Sequence, residues 1–288
     1  MSAPDADWAP LLARLQSLLP PPLPVLDWQA SAYRWRKQKN LLGEQGYLQP
    51  VLHASRIRLH DIQHVERQKD LIVQNTRQFV QGKPANNVLL TGARGTGKSS
   101  LIKACLNEFS QQGLRLIEVD KADLADLADI VDLIAERPER FIIFCDDLSF
   151  EEGEAGYKAL KVALDGSMSA ATDNVLIYAT SNRRHLLPEY MSDNDSYRHL
   201  PDGEIHPGEV VEEKISLSER FGLWVSFYPF RQEDYLHIVS YWLGTYQLTL
   251  NDDCRSAALQ FALERGSRSG RVAWQFAKDW AGKHTSAT

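Results

Sequence analysis

At 288 residues, with 43% hydrophobic and 24% charged side chains, the chain is long enough for one or two domains around a buried core. A formal net charge of −6 and a pI near 5.8 exclude a global basic footprint for nucleic acid and leave only a local basic face open. No apolar run approaches the roughly 18 residues of a membrane helix, and the acidic opening MSAPDADWAP lacks a signal-peptide core, so no membrane partner and a cytoplasmic location are expected.

Residues 8–19 have helical spacing, with Trp8, Leu11, Leu12, Leu15, Leu18 and Leu19 apolar, and the prolines between 20 and 24 end that helix in a stiff linker. In the following DWQASAYRWRKQKN, Trp28, Tyr33 and Trp35 alternate with Arg34, Arg36, Lys37 and Lys39. Rings for base stacking beside cations for phosphate suit a single-stranded nucleic-acid platform. The competing reading is an amphipathic arm that packs its aromatics on the body of the protein, and the acidic balance favours it. Residues 61–81 read as one long helix, with Ile62, Val65, Leu71, Ile72 and Phe79 on or near one face.

The most informative stretch is NVLLTGARGTGKS, residues 87–99. Val88–Leu90 read as a buried strand, and Leu101, Ile102, Ala104 and Cys105 as the inner face of a helix. Between them stands G-x-x-x-x-G-K-S, the phosphate-binding loop in its expected strand-to-helix setting. Gly92, Gly95 and Gly97 let the backbone turn and bring its N–H groups to phosphate oxygens. Ala93, Arg94, Thr96 and Ser100 complete the cradle, and the helix N-terminus adds its positive end. Lys98 supplies a point charge for the β and γ phosphates, and Ser99 offers a hydroxyl to Mg²⁺. A merely structural Gly-rich turn gives Lys98 and Ser99 no packing reason to be there. In the P-loop ATPases that this loop resembles, the segment just ahead of the first strand often contacts the adenine, so His60, Ile62 and Val65 are candidates for the base or else ordinary core or surface residues.

Beyond the loop, strand and helix patterns alternate. Strands are expected at 114–119, 141–147, 174–182 and 223–228, and helices at 123–136 and 154–171. The alternation predicts a parallel sheet covered by helices on both faces, with ligands at the carboxyl ends of the strands. Residues 189–213 are polar, acidic and punctuated by Pro and Gly, and read as a long loop with no metal-ligand spacing. From Arg231 the pattern is helical at 231–246, 252–265 and 269–282, with starts at Asn251–Asp252 and Ser269. The expected domains are an N-terminal arm at 1–59, an α/β nucleotide-binding unit at 60–230 and a helical lid at 231–288. Cys105, Cys145 and Cys254 lie far apart in apolar contexts; they cannot all pair, which fits a reducing compartment.

Polar residues fall where the sheet would deliver them. Asp146 follows four apolar residues, the position from which a carboxylate reaches nucleotide-bound Mg²⁺; Asp147 can polarise the attacking water. Their competing role is to cap the next element. Glu151 and Glu152 are alternative bases. Asn182, with Arg183 and Arg184 directly after it, can hold the lytic water or the γ-phosphate, or simply end its strand. Arg220, just before the last strand, can reach a neighbouring copy's site as an arginine finger, or form a surface ion pair. Arg271 at the start of the last helix can touch the γ-phosphate from the lid, with Arg268 as the nearby alternative.

The ordered set resembles the AAA+ ATPases over residues 60–282. NNVLLTGARGTGKSS, RFIIFCDDLSFE, YATSNRRHLLPE and EEKISLSERFGLWVSFYP are further similar to a stand-alone bacterial AAA+ family carried as a domain of unknown function. The resemblance implies an α/β P-loop NTPase fold: a five-stranded parallel sheet of order 5-1-4-3-2 sandwiched by helices, with a small C-terminal all-helical lid. It implies ATP/ADP and Mg²⁺ as ligands and a homo-oligomeric ring when ATP is bound. By motif position Asp146 resembles the Walker B metal ligand, Asn182 sensor 1, Arg220 the arginine finger and Arg271 sensor 2. Two departures matter. Many members have Glu at the position of Asp147, and the segment DKADL, 120–124, lacks the aromatic–apolar–Gly loop with which threading unfoldases grip polypeptide. The expected function is ATP hydrolysis driving conformational change on an unknown protein client. The alternatives are a slow nucleotide-dependent binding switch and an accessory ATPase on DNA.

Overall fold

The computed structural model describes residues 26–40, 43–150, 154–165, 173–183, 186, 198–199, 205–206 and 217–284. The expected helix at 8–19, the proline linker, Glu151, Glu152, Arg184 and most of the 189–213 stretch lie outside the described residues. The strands are β1 (Ala32–Asn40), β2 (Gly43–Pro50), β3 (Val88–Gly92), β4 (Leu114–Glu118), β5 (Arg140–Cys145), β6 (Val175–Ser181), β7 (Arg198–His199), β8 (Ile205–His206) and β9 (Leu223–Phe227). β7 and β8 form a small antiparallel pair, and the other seven form one sheet of order β2-β1-β4-β5-β6-β3-β9.

Within that sheet, β9-β3-β6-β5-β4 are all parallel and reproduce the expected 5-1-4-3-2 order. Leu90 of β3 stands opposite Thr180 of β6 on one side and Val225 of β9 on the other. Successive residues alternate between two cores. Val88, Leu90, Ile142, Phe144, Leu176, Tyr178 and Val225 face one core, which they share with α1 (Glu66–Val80) and α2 (Lys98–Phe109). Leu89, Phe141, Ile143, Ile177 and Ala179 face the other, shared with α3 (Leu127–Ile134) and α4 (Ala155–Leu164). Burial on both faces is why these strands read as near-continuous apolar runs.

The sheet extends beyond the five expected strands by an N-terminal hairpin. β1 pairs in parallel with the edge strand β4, and β2 folds back antiparallel on β1. Residues 32–50 thus join the sheet of the α/β unit, although the expected boundary stood at 60. The aromatic–basic alternation in β1 is the period of a strand. Tyr33 and Trp35 point inward, 0% and 4% exposed, and Trp35 Nε1 donates to Asp126 Oδ2 at 2.8 Å. The cations meet acids of the 118–126 segment: Arg34 with Glu118 at 2.6 Å, Arg36 with Asp120 at 3.4 Å, and Lys37 with Asp126 at 2.8 Å and Asp123 at 3.2 Å. The hydrogen bond to Asp126 holds the Lys37 ammonium above its usual range. Packing on the body, not a row of free rings, accounts for this stretch.

The expected single helix over 61–81 is broken. A 3-10 turn at Leu59–Asp61 precedes α1, and His64 between them takes φ 60°. The turn lets Ile62 and Val65 both enter the core, 5% and 4% exposed; Lys69 Nζ closes the gap by donating to the carbonyls of Leu59 and Ile62. The helix expected at 123–136 likewise divides into a 3-10 stretch, Lys121–Asp126, and α3. The C-terminal region is all helical: α5 (Gln232–Thr245), α6 (Asp252–Glu264) and α7 (Gly270–His284). Asn251 caps α6 by accepting from the Cys254 N–H at 2.9 Å. The lid touches the segment ahead of α1 through Tyr241, whose hydroxyl donates to Asp61 Oδ1, and through the stacked rings of His64 and His237 at 5.4 Å. Among the described residues no helix is long and apolar enough to cross a membrane.

Candidate nucleotide-binding site

β3 ends in Gly92, whose φ of 118° turns the chain into the loop; a Cβ there would stand 1.9 Å from the carbonyl oxygen of Phe227. Only glycine permits both the conformation and the close passage beside β9. The loop ends at Gly97, also left-handed, and α2 begins with Lys98. Residues 94–100 line a cleft of about 1000 Å³ between the sheet's carboxyl edge and the lid. The cleft's apolar wall includes Ile57, Ile62, Phe230, Ile238, Trp242 and Trp274. Of the three base-contact candidates, Ile62 lines the cleft and His60 and Val65 do not.

Lys98 is 6% exposed. Its ammonium donates to the carbonyls of Gly92 at 2.6 Å and Ala93 at 2.8 Å and to Asn182 Oδ1 at 3.1 Å. Burial lowers its pKa to about 8, against the opposing pull of Asp147 and Asp146. Ser99 Oγ donates to Asp146 Oδ1 at 2.6 Å. Thr180, opposite Leu90 near the end of β6, donates to the same Asp146 oxygen at 2.6 Å and accepts from the Asp147 N–H at 2.9 Å. Asn182 Nδ2 donates to Asp147 Oδ1. One continuous hydrogen-bonded chain therefore runs Lys98–Asn182–Asp147–Thr180–Asp146–Ser99. Residues of three separate motifs converge because β3, β5 and β6 are neighbours in the sheet and end at the same edge. Thr180 is the member that sequence reasoning passed over. Its signal was available: a hydroxyl in the buried run LIYATS, near the carboxyl end of a strand.

Arg271 also lines the cleft, on the first turn of α7, with its N–H directed to the Gly95 carbonyl at 3.4 Å. Ser269 Oγ accepts from the Val272 N–H and starts that helix. A Cβ on Gly95 would fall 2.7 Å from Ser269 Oγ, so loop and lid meet at this glycine. The alternative, Arg268, faces a smaller hollow behind the loop with Ala93, Arg94 and Thr96. Arg220 stands apart from the cleft: it precedes β9, at the amino edge of the sheet, and its Nε donates to Asp165 Oδ1 at 2.6 Å. Five strand residues, about 17 Å, separate that edge from the loop. Among the described residues no cluster of three His, Cys, Asp or Glu forms a metal site. Ser99 and Asp146 instead offer hard oxygen donors with a single carboxylate, a set suited to Mg²⁺ that retains waters and phosphate oxygens.

A family described as "Protein of unknown function (DUF815)" matches residues 28–284. No curated protein matches the sequence. Among solved structures, the AAA domain of FIGL-1 in complex with ADP is similar at 19% identity and a TM-score of 0.51, covering 80% of this chain and 74% of that one. A proline-to-glycine mutant of Thermotoga maritima RuvB gives 15% identity and a TM-score of 0.53, over 77% of this chain and 64% of that one. The Aeropyrum pernix ORC1 protein in complex with DNA gives 14% and 0.53, over 78% and 62%. The chain thus spans less than two thirds of the RuvB and ORC1 chains, and at these identities the likeness is one of fold.

Proposed function

The chain belongs to the DUF815 family and has the AAA+ P-loop fold, and from that premise we propose that it binds ATP in the cleft and hydrolyses it to ADP and phosphate, driving conformational change on a protein client. The observation that carries this reading is the hydrogen-bonded chain joining the phosphate loop to both acids and to Asn182. Loop amides and Lys98 hold the phosphates. Ser99 and Asp146 are the residues to hold Mg²⁺, which when bound neutralises charge on the phosphate oxygens. Asp147 accepts a proton from the water that adds to the γ-phosphorus as the bond to the bridging oxygen breaks, and Asn182 orients that water. Arg271 brings a cation from the lid, and Ile62 contributes to the base-binding wall. Arg220, at the far edge of the sheet, serves a neighbouring copy in a homo-oligomeric ring, where it spreads transition-state charge. The test is Lys98→Ala, for which nucleotide binding or turnover is expected to be lost; an unchanged ATP affinity and rate would sink the assignment.

A second reading has its own observations. Asp147 is one methylene shorter than the usual Glu and its carboxylate is engaged by Asn182, while Arg220 is engaged by Asp165 of its own chain. Both favour a slow switch that waits for a partner. Very slow basal turnover that a partner does not accelerate would select it. The DNA-accessory reading loses its main support, since Tyr33 and Trp35 are buried and Arg34, Arg36 and Lys37 are ion-paired.

A further inference from the structure

Thr180 is 2% exposed and sits where three residues after β5 are fastened. Its hydroxyl proton goes to Asp146 Oδ1, its oxygen accepts the Asp147 N–H, and its carbonyl accepts the Leu148 N–H at 2.7 Å. Its own place is fixed by the ladder to Leu90 of β3, the strand that leads into the phosphate loop. Two consequences follow. Ser99 and Thr180 both donate to the same Asp146 oxygen, which leaves the second oxygen of that carboxylate for a cation. Asp147 takes φ 55°, a left-handed conformation uncommon for a residue with a Cβ, and the bond to Thr180 holds the peptide N–H that this conformation turns toward β6. The direction of the Asp147 carboxylate depends on that backbone.

We propose that Thr180 is a positioning residue for hydrolysis: one hydroxyl sets the metal-ligand acid and the water-polarising acid in register with each other and with the phosphate loop. The inference rests on the ATPase reading above. It acts through Asp146 and Asp147, so it is expected in the rate and not in ATP affinity. The experiment compares Thr180→Val, which removes donor and acceptor while keeping the branched shape, with Thr180→Ser, which keeps both. Steady-state ATPase rates and ATP affinity are measured for each alongside the unaltered protein. Thr180→Val is expected to lower kcat on the order of 10- to 100-fold with the ATP dissociation constant within about threefold, and Thr180→Ser to restore kcat to within about threefold. A Val variant with full kcat, or one that loses affinity in step with kcat and is not rescued by Ser, overturns the inference alone. An unaltered protein that turns over no ATP at any concentration overturns the ATPase reading and the inference with it. Should Thr180→Val fail to fold, Thr180→Cys retains a weak donor of similar size, and its expected drop is about tenfold; an unchanged rate there also overturns the proposal.

Discussion

Lys98 is held in place by the same bonds that would present it to a nucleotide under the proposed reading. Its ammonium is buried and bonded to two loop carbonyls and Asn182, and burial brings its pKa down to about 8 from 10.5. The folded state therefore holds this proton less tightly than the unfolded chain. The resulting penalty is fully present below about pH 8 and is relieved as pH rises toward 10.5. Phosphate binding has the opposite sign, since it needs the charged form and raises the folded pKa. ATP affinity is expected to fall about tenfold between pH 7.5 and 9, with proton uptake on binding measurable by calorimetry in buffers of different ionisation enthalpy. A flat profile would place the affinity in the loop amides instead. Asp147 is the other residue under tension: a non-glycine left-handed conformation costs about 1 kcal/mol, offset here by Thr180 and Asn182. Lys98 and Ser99 on one side, and Asp146 on the other, are candidates from spacing because each belongs to its own local motif. Thr180 left only a hydroxyl in a buried strand as its signal, and its bonds to Asp146 and Asp147 appear only when β6 lies beside β5.

At the scale of elements, the N-terminal hairpin is the addition to the five expected strands, and its aromatics pack on the body as the acidic balance favoured. The alternation of rings and cations fits a strand as well as a stacking platform, and the choice rests on β4 presenting a free edge and on acids at 118, 120, 123 and 126 that meet the cations. Trp35 lies across Gly46 on the partner strand, so that a Cβ at Gly46 would stand 1.9 Å from its ring. Gly46→Ala is expected to destabilise the fold by about 1–3 kcal/mol through this overlap, read as a lowered denaturant midpoint with ATP affinity spared. An unshifted midpoint would mean that the ring is free to move aside. The broken helix ahead of α1 follows the same logic: burying both Ile62 and Val65 outweighed continuous helical periodicity.

At the scale of the molecule, the cleft exists because loop, sheet edge and lid meet around Gly95, Arg271 and Ile62. Arg220 lies at the opposite edge, out of reach of its own loop. If copies share sites, specific ATPase activity should climb with protein concentration, track mass by light scattering, and vanish in Arg220→Ala while ATP binding persists. A variant that loses binding instead would end the trans assignment. The sequence by itself determined the strand–loop–helix setting of GARGTGKS, the alternation of strands and helices, and the helical C-terminal region, because each is written in local periodicity or in a contiguous motif; the strand order came from the family resemblance. Only the tertiary structure decided the seven-stranded extent of the sheet, the pairing of the basic strand with acids some 84 to 91 residues away, and the joining of Asp146 to Asp147 through Thr180. Those are contacts between segments distant along the chain, and no period or motif records which strand edges will meet.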